Sequence, residues 1–189
     1  QHEHLFSPEF CQWFRPLAEE KTSQYKMLLA ARHAFQKDLS QGKQLSFRED
    51  TAHIRDDLTW QGASIPQWLQ TRHVEITGPT NDPKMVINPL NSGADVYMTD
   101  CEDSQSPTWG NVVGGHHNIY EAVRGTLSHT KVDENGEPVK TYTLDEKTAI
   151  LFVRARGIHL FEANVGTEEG DVPAGLLDIG LHMFHNARP

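Results

Sequence analysis

The chain has 189 residues, 37% of them hydrophobic and 23% charged, so it is predicted to be globular with a sizeable core rather than disordered. Its formal net charge is -9 and no basic cluster appears, which argues against a nucleic-acid partner. No apolar run approaches the roughly 18 residues that a membrane span needs, so no membrane partner is expected.

The first third of the chain is predicted to be helical and then irregular. Ser7-Pro8-Glu9 is typical of a helix start, with a capping side chain, a proline in the first turn and an acid after it. Pro16 is expected to end or kink that helix, and a longer helix follows to about Gln41. Residues 43–71 show no periodicity. Their expected buried anchors are Trp60, Ile65, Trp68 and Leu69.

From residue 73 onward, short strands alternate with helices. Strands are predicted at 73–77, 95–100 and 148–156, and helices at 82–93, 118–127 and 174–186. One helical turn is expected before Gly114-Gly115, a β-hairpin over residues 131–144 and a loop over residues 160–172. The alternation favours parallel β/α units, and because both nucleotide-binding glycine motifs are missing, a β/α barrel is the preferred fold.

Charged residues follow two of these strands, where the chemistry of β/α barrels is found. Asp100, Glu102 and Asp103 follow the second strand, and Arg154 and Arg156 end the third. Alternation along a strand predicts that Asp100 and Glu102 face one way and Asp103 the other, and that the two arginines share a face. The cluster is either a salt-bridge network at the rim or an anion-handling or metal-assisted site in which an arginine meets developing negative charge.

Cysteines and histidines give weaker indications. Cys11 and Cys101 are far apart in the chain and are expected to be free thiols. The eleven histidines include three close pairs, of which only His182 and His185 share a plausible helix face, with no third ligand evident. The histidines are therefore expected to be ordinary surface or packing residues.

Five segments are long and distinctive enough for comparison with known families. They are RHVEITGP at residues 72–79, KMVINPLNSGADVYMTDCEDSQSPTW at 84–109, AVRGT at 122–126, VRARGIHL at 153–160 and GLLDIGLHMFHNAR at 175–188. In type, order and spacing they resemble the malate synthases, specifically the A-type enzyme. The resemblance covers nearly the whole chain from about residue 7.

The resemblance implies a reaction and a domain plan. The family condenses acetyl-CoA with glyoxylate and hydrolyses the product to malate and CoA, in the glyoxylate cycle. Its fold is a TIM-type β/α barrel with an N-terminal helical clasp and a C-terminal helical domain. The chain is accordingly expected to hold the clasp and a connecting segment over residues 1–71. The first three β/α units of the barrel, which is incomplete, are expected over residues 72–189.

The resemblance also implies roles for the strand-end residues. Arg154 matches the family's catalytic arginine, which stabilises the enolate formed from acetyl-CoA. Asp100, Glu102 and Asp103 match an acidic segment near the metal site, where they are expected to orient water or neighbouring groups rather than bind magnesium directly. Arg156 and Gly78 are assigned with them to the surroundings of the substrate.

The chain is predicted to lack part of the catalytic set. A complete barrel takes about 250 residues. The family's magnesium-binding glutamate and aspartate and its general base come later than Pro189, so Mg²⁺ is expected only for the full-length enzyme. We therefore expect an N-terminal piece that is inactive alone. Its open strand edges are expected to favour self-association.

Two other functions and two locations stay open. A lyase resembling the citrate-lyase β-subunit would use a related barrel and an acidic cluster. A non-catalytic barrel fragment would bind a partner through its sheet or its helical face. The resemblance implies a cytoplasmic location for a bacterial protein and a peroxisomal or glyoxysomal one for a eukaryotic protein.

Overall fold

The computed structural model describes residues 2–187 and shows a mixed α/β fold, which confirms the predicted class. The helices are α1 (Pro8–Ser40), α2 (Ala52–Arg55), α3 (Pro83–Leu90), α4 (Trp109–Val123) and α5 (Ala174–Asn186). The strands are β1 (Glu75–Pro79), β2 (Val96–Asp100), β3 (Ser128–Val132), β4 (Pro138–Thr143), β5 (Ile150–Arg154), β6 (Phe161–Thr167) and β7 (Gly170–Pro173). Short 3-10 helices cover Glu3–Phe6, Glu49–Thr51 and Gln67–Leu69.

The chain divides into two compact units, one made of residues 1–25 and 72–189 and the other of residues 26–71. In the second unit every residue is at least partly exposed. Trp60, Ile65 and Trp68 are more than half exposed, so the prediction that they are buried anchors is wrong. This stretch forms only short helical segments between residues 41 and 71, and they provide no apolar layer that could bury such side chains.

A three-stranded parallel sheet with the order β1-β2-β5 lies at the centre of the first unit. The strands end level with one another, because Pro79 pairs with Asp100 and Asp100 pairs with Arg154. The described part of the chain adds no further strand to this sheet, so no closed barrel is present there. The carboxyl ends of the three strands therefore meet at one edge of an open sheet.

Two apolar clusters support this sheet and the helices beside it. In the first, buried residues of α1, α4 and α5 pack with β7 and the N-terminal segment; they include Leu5, Phe10, Phe14, Val113, Val172, Leu177 and Leu181. In the second, α3 packs on the sheet and on the β3–β4 hairpin; its buried residues are Val86, Ile87, Leu90, Tyr97, Leu127 and Ala149. Among the described residues, no helix is both long enough and apolar enough to traverse a bilayer.

Helix α1 is continuous, so of the two outcomes expected at Pro16, an end or a kink of the helix, the end is wrong. The Ser7 hydroxyl caps its start by accepting a hydrogen bond from the Phe10 amide at 3.2 Å. Beyond the cap, buried residues recur every four positions, at Phe10, Phe14, Ala18 and Thr22. Pro16 removes one amide donor from the helix. We attribute the continuation of the helix to this packed face, which Pro16 does not interrupt.

Helix α4 is also continuous, whereas Gly114-Gly115 was expected to end a single turn. A close contact explains the second glycine. A Cβ built on Gly115 would lie 2.1 Å from Thr80 Oγ1 and 2.9 Å from Thr80 Cβ, whereas one on Gly114 would meet nothing within 4 Å. Gly115 therefore lets α4 approach the loop after β1.

The two antiparallel hairpins differ in how well the sequence predicted them. The hairpin expected over residues 131–144 is confirmed as β3 and β4. Residues 160–172 were expected to be a loop, but most of them form β6 and β7. Their polar composition hides the pattern, because Glu162 is buried beside Val172 in place of an apolar residue.

The contact at Gly115 generates a stability test. We expect Gly115→Ala to lower the free energy of unfolding by about 1–3 kcal/mol, because the new methyl group overpacks the space occupied by Thr80. Gly114→Ala is the matched control and should raise it by up to about 1 kcal/mol, as alanine favours helix more than glycine does. Urea-induced unfolding of both variants measures the difference. Equal stability of the two would contradict the packing argument.

Candidate functional site

The structure brings Arg154 and the acidic residues after β2 together at the carboxyl edge of the sheet. Arg154 Nη1 lies 3.1 Å from Asp100 Oδ2, and its Nη2 lies 2.6 Å from Glu102 Oε2 and 2.7 Å from Asp103 Oδ2. The parallel register accounts for this, because Asp100 and Arg154 are neighbours across β2 and β5. One guanidinium group thus meets three carboxylates.

Asp100 organises the turn that presents the other acids. Its Oδ1 accepts hydrogen bonds from the backbone amides of Glu102 and Asp103 at 2.9 and 3.1 Å, and its Oδ2 accepts one from Ser104 Oγ at 3.1 Å. Burial alone would raise the pKa of Asp100, but these bonds and the charge of Arg154 outweigh it, so the pKa is lowered. The carboxylate therefore stays ionised at neutral pH.

The predicted alternation of side chains is wrong for Asp103. The strand β2 ends at Asp100, and a series of bends follows. Because the strand periodicity stops there, Asp103 turns back to Arg154 together with Glu102. Gly157 permits the approach of Glu102, since a Cβ at that position would lie 2.5 Å from Glu102 Oε1.

The charges of this cluster do not balance. Three carboxylates surround one guanidinium group, which leaves a surplus of two negative charges when all are ionised. The hydrogen bond to Asp103, followed by the charges of the three acids, raises the pKa of Arg154. The Arg154 side chain is 38% exposed and Asp103 is 68% exposed, so a small molecule can reach both.

Arg156 lies in a different environment, so the prediction that it shares a face with Arg154 at the acidic rim is wrong. It is buried, and its Nε and Nη2 donate to Asp178 Oδ2 and Oδ1 at 3.0 and 2.9 Å. Its Nη1 donates to Glu162 Oε2 at 2.8 Å. The strand β5 ends at Arg154, so the alternation that would align the two arginines does not extend to Arg156.

Asp178 on α5 is the centre of this buried network. Its carboxylate accepts hydrogen bonds from the Arg156 backbone amide at 2.9 Å and from His116 Nε2 on α4 at 3.0 Å, in addition to those from the Arg156 side chain. Burial alone would raise the pKa of Asp178, but the hydrogen bonds from His116 and Arg156 outweigh it and the pKa is lowered. The network ties the chain after β5 to α4 and α5.

Cys101 lies beside this network and completes a group of metal-ligand types. Its Sγ and ligand atoms of His116 and Asp178 lie within 4.8 Å of one another. Both Asp178 oxygens already accept two hydrogen bonds each, and Arg156 holds a positive charge beside them. Burial raises the pKa of Cys101 to about 12, so its thiol is protonated. These features fit a packed structural cluster better than a cation site.

Gln105 is a further residue of the rim that no sequence signal marked. Its Oε1 accepts hydrogen bonds from the backbone amide of Thr80 at 3.2 Å, from Thr80 Oγ1 at 2.7 Å and from the Asn81 amide at 3.0 Å. It thereby joins the loop after β1 to the loop after β2. A partner 24 or more positions away in the chain cannot be identified from local sequence.

Gly78 lies in β1, one residue before the strand end. A Cβ at this position would lie 3.2 Å from Tyr97 Oη, so the glycine leaves room for the tyrosine ring. The Tyr97 hydroxyl lies within hydrogen-bond distance of two backbone carbonyl oxygens, Pro79 O at 3.2 Å and Met85 O at 3.0 Å. The structure thus places Gly78 against the second apolar cluster, to which Tyr97 belongs.

The buried network predicts a loss of stability on substitution. Asp178→Asn should lower the free energy of unfolding by about 3–5 kcal/mol, because it leaves the charge of Arg156 insufficiently compensated in the interior. Asp171→Asn, at an exposed position of β7, is the matched control and should be nearly neutral. Urea-induced unfolding monitored by circular dichroism measures both.

The same network predicts how this difference depends on pH. The pKa of Asp178 is lowered in the folded state, so its contribution is present above the unfolded pKa of about 4 and is lost as pH falls further. The difference in the free energy of unfolding between the parent chain and Asp178→Asn should therefore become smaller in acid. If this difference in the free energy of unfolding stayed constant down to the pH at which acid unfolds the chain, Asp178 would not be ionised in the folded state.

Comparison with known proteins adds a separate line of observation. No model of a known protein family matches the chain. It is 46% identical over 184 residues to a malate synthase of Myxococcus xanthus, covering 97% of this chain and 33% of that protein. It is 40% identical over 186 residues to malate synthase A of Escherichia coli, covering 98% and 34%. It is 43% identical over 187 residues to the bifunctional glyoxylate cycle protein of Caenorhabditis elegans, covering 98% and 19%.

The chain thus spans at most about a third of the length of these relatives, although they cover nearly all of it. Such coverage is consistent with the prediction that it corresponds to an N-terminal portion. The resemblance to the malate synthases is confirmed over nearly the whole length of the chain, which spans only a part of these relatives.

Proposed function

We propose that the chain is the N-terminal part of a malate synthase of the A-type, which condenses acetyl-CoA with glyoxylate and hydrolyses the product to malate and CoA in the glyoxylate cycle. The observation that carries the proposal is the position of Arg154. Its guanidinium group lies at the carboxyl edge of a parallel sheet and is oriented by three carboxylates. The identity to malate synthases extends through this region.

In the proposed reaction, Arg154 stabilises negative charge. Removal of a proton from the methyl group of acetyl-CoA gives an enolate, which attacks the aldehyde carbon of glyoxylate before water cleaves the thioester. Arginine suits this step because it is always charged and presents donors in a fixed plane. Salt bridges to Asp100 and Glu102 hold that plane before substrate arrives, so little reorganisation is needed as charge develops.

The surplus of negative charge bears on the expected cofactor. Carboxylates favour a hard cation such as Mg²⁺, but those of Glu102 and Asp103 already contact Arg154 at 2.6 and 2.7 Å. They therefore fit a position next to the ion better than a place among its direct ligands. We propose that ligands from outside this chain hold Mg²⁺, which when bound polarises the aldehyde of glyoxylate.

The sheet geometry supports a wider architectural proposal. The strands β1, β2 and β5, with α3, α4 and α5 following them, have the order expected of three consecutive β/α units. We propose that they form the first part of a TIM-type barrel over residues 72–189, preceded by a helical clasp and connecting segment over residues 1–71. The free edges of β1 and β5 would then pair with further strands of the full-length enzyme, or with another copy of the chain when it is isolated.

The names of two relatives bear on the proposed location. Relatives from maize and from Cucurbita maxima are named glyoxysomal malate synthases. We propose the cytoplasm if the chain comes from a bacterium and the glyoxysome or peroxisome if it comes from a eukaryote. Acetyl-CoA and glyoxylate are the proposed partners of the complete enzyme.

The isolated chain should have no malate synthase activity. Enolate formation requires a general base within hydrogen-bond reach of the methyl proton, and the cluster around Arg154 offers carboxylates that are already committed to salt bridges. An assay that detects CoA release from acetyl-CoA and glyoxylate in the presence of Mg²⁺ tests this. Turnover above the buffer rate by the 189-residue chain would show that its catalytic set is complete.

Substitution of Arg154 tests the catalytic role in a full-length enzyme that contains this sequence. Arg154→Ala should lower kcat by about 10²–10³-fold, the usual effect of losing one oxyanion donor. Arg154→Lys should recover part of the rate, since it keeps the charge but loses the planar pair of donors. Arg55→Ala, at an exposed arginine of α2, is the control and should leave kcat unchanged.

If Arg154→Ala retained the parental kcat, the catalytic role would belong to another residue. If the parent enzyme itself cleaved acyl-CoA substrates and did not condense acetyl-CoA with glyoxylate, the function would be that of the related lyases. These two outcomes separate the role of the residue from the nature of the reaction.

A further inference from the structure

Three histidines that the proposed reaction does not use lie together beside α4. His4, in the 3-10 helix Glu3–Phe6, places its Nε2 at 3.4 Å from Nδ1 of His117 on α4. The ring of His2 lies over that of His117, with centroids 4.1 Å apart and planes inclined by 30°. The fold thus joins residues 113 positions apart in the chain.

The distance between the two nitrogens is informative. At 3.4 Å it exceeds the usual range of about 2.7–3.2 Å for a hydrogen bond from nitrogen. Two imidazole nitrogens bound to one tetrahedral Zn²⁺ at about 2.0–2.1 Å are separated by about 3.4 Å. The pair therefore has the spacing of two metal ligands rather than that of a strong hydrogen bond.

We propose that His4 Nε2 and His117 Nδ1 bind a divalent transition-metal ion of the imidazole-preferring class, such as Zn²⁺. The neighbouring side chains are His2, whose ring lies over His117, and Glu121, whose Oε2 accepts a hydrogen bond from Thr126 Oγ1; water would supply the remaining ligands. Glu121 follows His117 by four residues, so the two share a face of α4. This proposal is independent of the malate synthase assignment.

The surroundings of the pair provide access and support. A surface cavity of about 400 Å³ lies alongside; its lining includes His2, His117, Asn118 and Glu121. The ring of Tyr120 packs edge-on against His4 with centroids 5.0 Å apart, which holds the His4 imidazole near α4. The cavity reaches His117, one of the two proposed ligands.

Charge also favours the site. The whole chain carries a formal charge of -9, which attracts cations.

A Zn²⁺ titration of the chain without an affinity tag tests the proposal. Isothermal titration calorimetry at pH 7.5 should show one ion bound per chain. His4→Gln and His117→Gln should each weaken Zn²⁺ binding at least about tenfold. Loss of a group that only hydrogen-bonds to a metal ligand already weakens metal affinity about tenfold, and loss of the ligand itself should cost at least as much. His53→Gln, at an exposed histidine of the second unit, is the control and should bind like the parent.

Two further measurements keep the test independent of folding. Without metal, the parent and the His117→Gln variant should give the same circular dichroism spectrum. Excess Zn²⁺ should raise the midpoint of thermal unfolding of the parent but not that of the variant. Unchanged Zn²⁺ affinity in both histidine variants would refute the proposal. Loss of binding in Cys101→Ser instead would assign the ion to the buried Cys101–His116–Asp178 group and would equally refute it.

Discussion

The buried ion pair between Arg156 and Asp178 is the interaction on which the arrangement of the site depends. Asp178 on α5 receives the guanidinium group and the backbone amide of Arg156, and also His116 of α4. Glu162 of β6 binds the remaining side of the same guanidinium. The network thus ties the chain immediately after β5 directly to α5 and β6, and to α4 through Asp178. This anchor lies two residues after Arg154, the last residue of β5.

Two arginines separated by a single alanine therefore serve different physical purposes. Arg156 is buried and its acidic neighbours compensate its charge, so its role is to fix the path of the backbone. Arg154 is 38% exposed and is surrounded by more negative charge than it neutralises. A preoriented but accessible guanidinium is what electrostatic stabilisation of a reacting anion requires.

Local signals predicted much of the fold. The helix α5 has its own apolar periodicity and the β3–β4 hairpin has its own turn residues, and both occur where the sequence indicates. The failures are places where a distant contact overrides the local preference. Gly114-Gly115 predicts a helix end, yet Gly115 serves close packing on Thr80. The segment 160–172 looked like a loop because the charge that it buries, Glu162, has its partner in Arg156.

The candidate site shows the same division. Parallel strand ends bring Asp100 and Arg154 together, and that follows from the order of the elements alone. The roles of Gln105 and of the pair His4–His117 could not be predicted, because each depends on contacts between residues far apart in sequence. Alternation failed beyond the last residue of each strand, where the backbone no longer has a period of two.

The level ends of the three central strands restrict how this sequence can vary. Pro79, Asp100 and Arg154 occupy one row of the sheet, and neighbouring positions along a strand project to opposite faces. Loss or gain of a single residue inside β2 would reverse the face of every side chain beyond it and would separate the acids from the arginine. Loss or gain of one residue in the exposed turn between β3 and β4 would leave the alignment of the central strands unchanged. Length variation among natural relatives should therefore concentrate in that turn and be absent from the central strands.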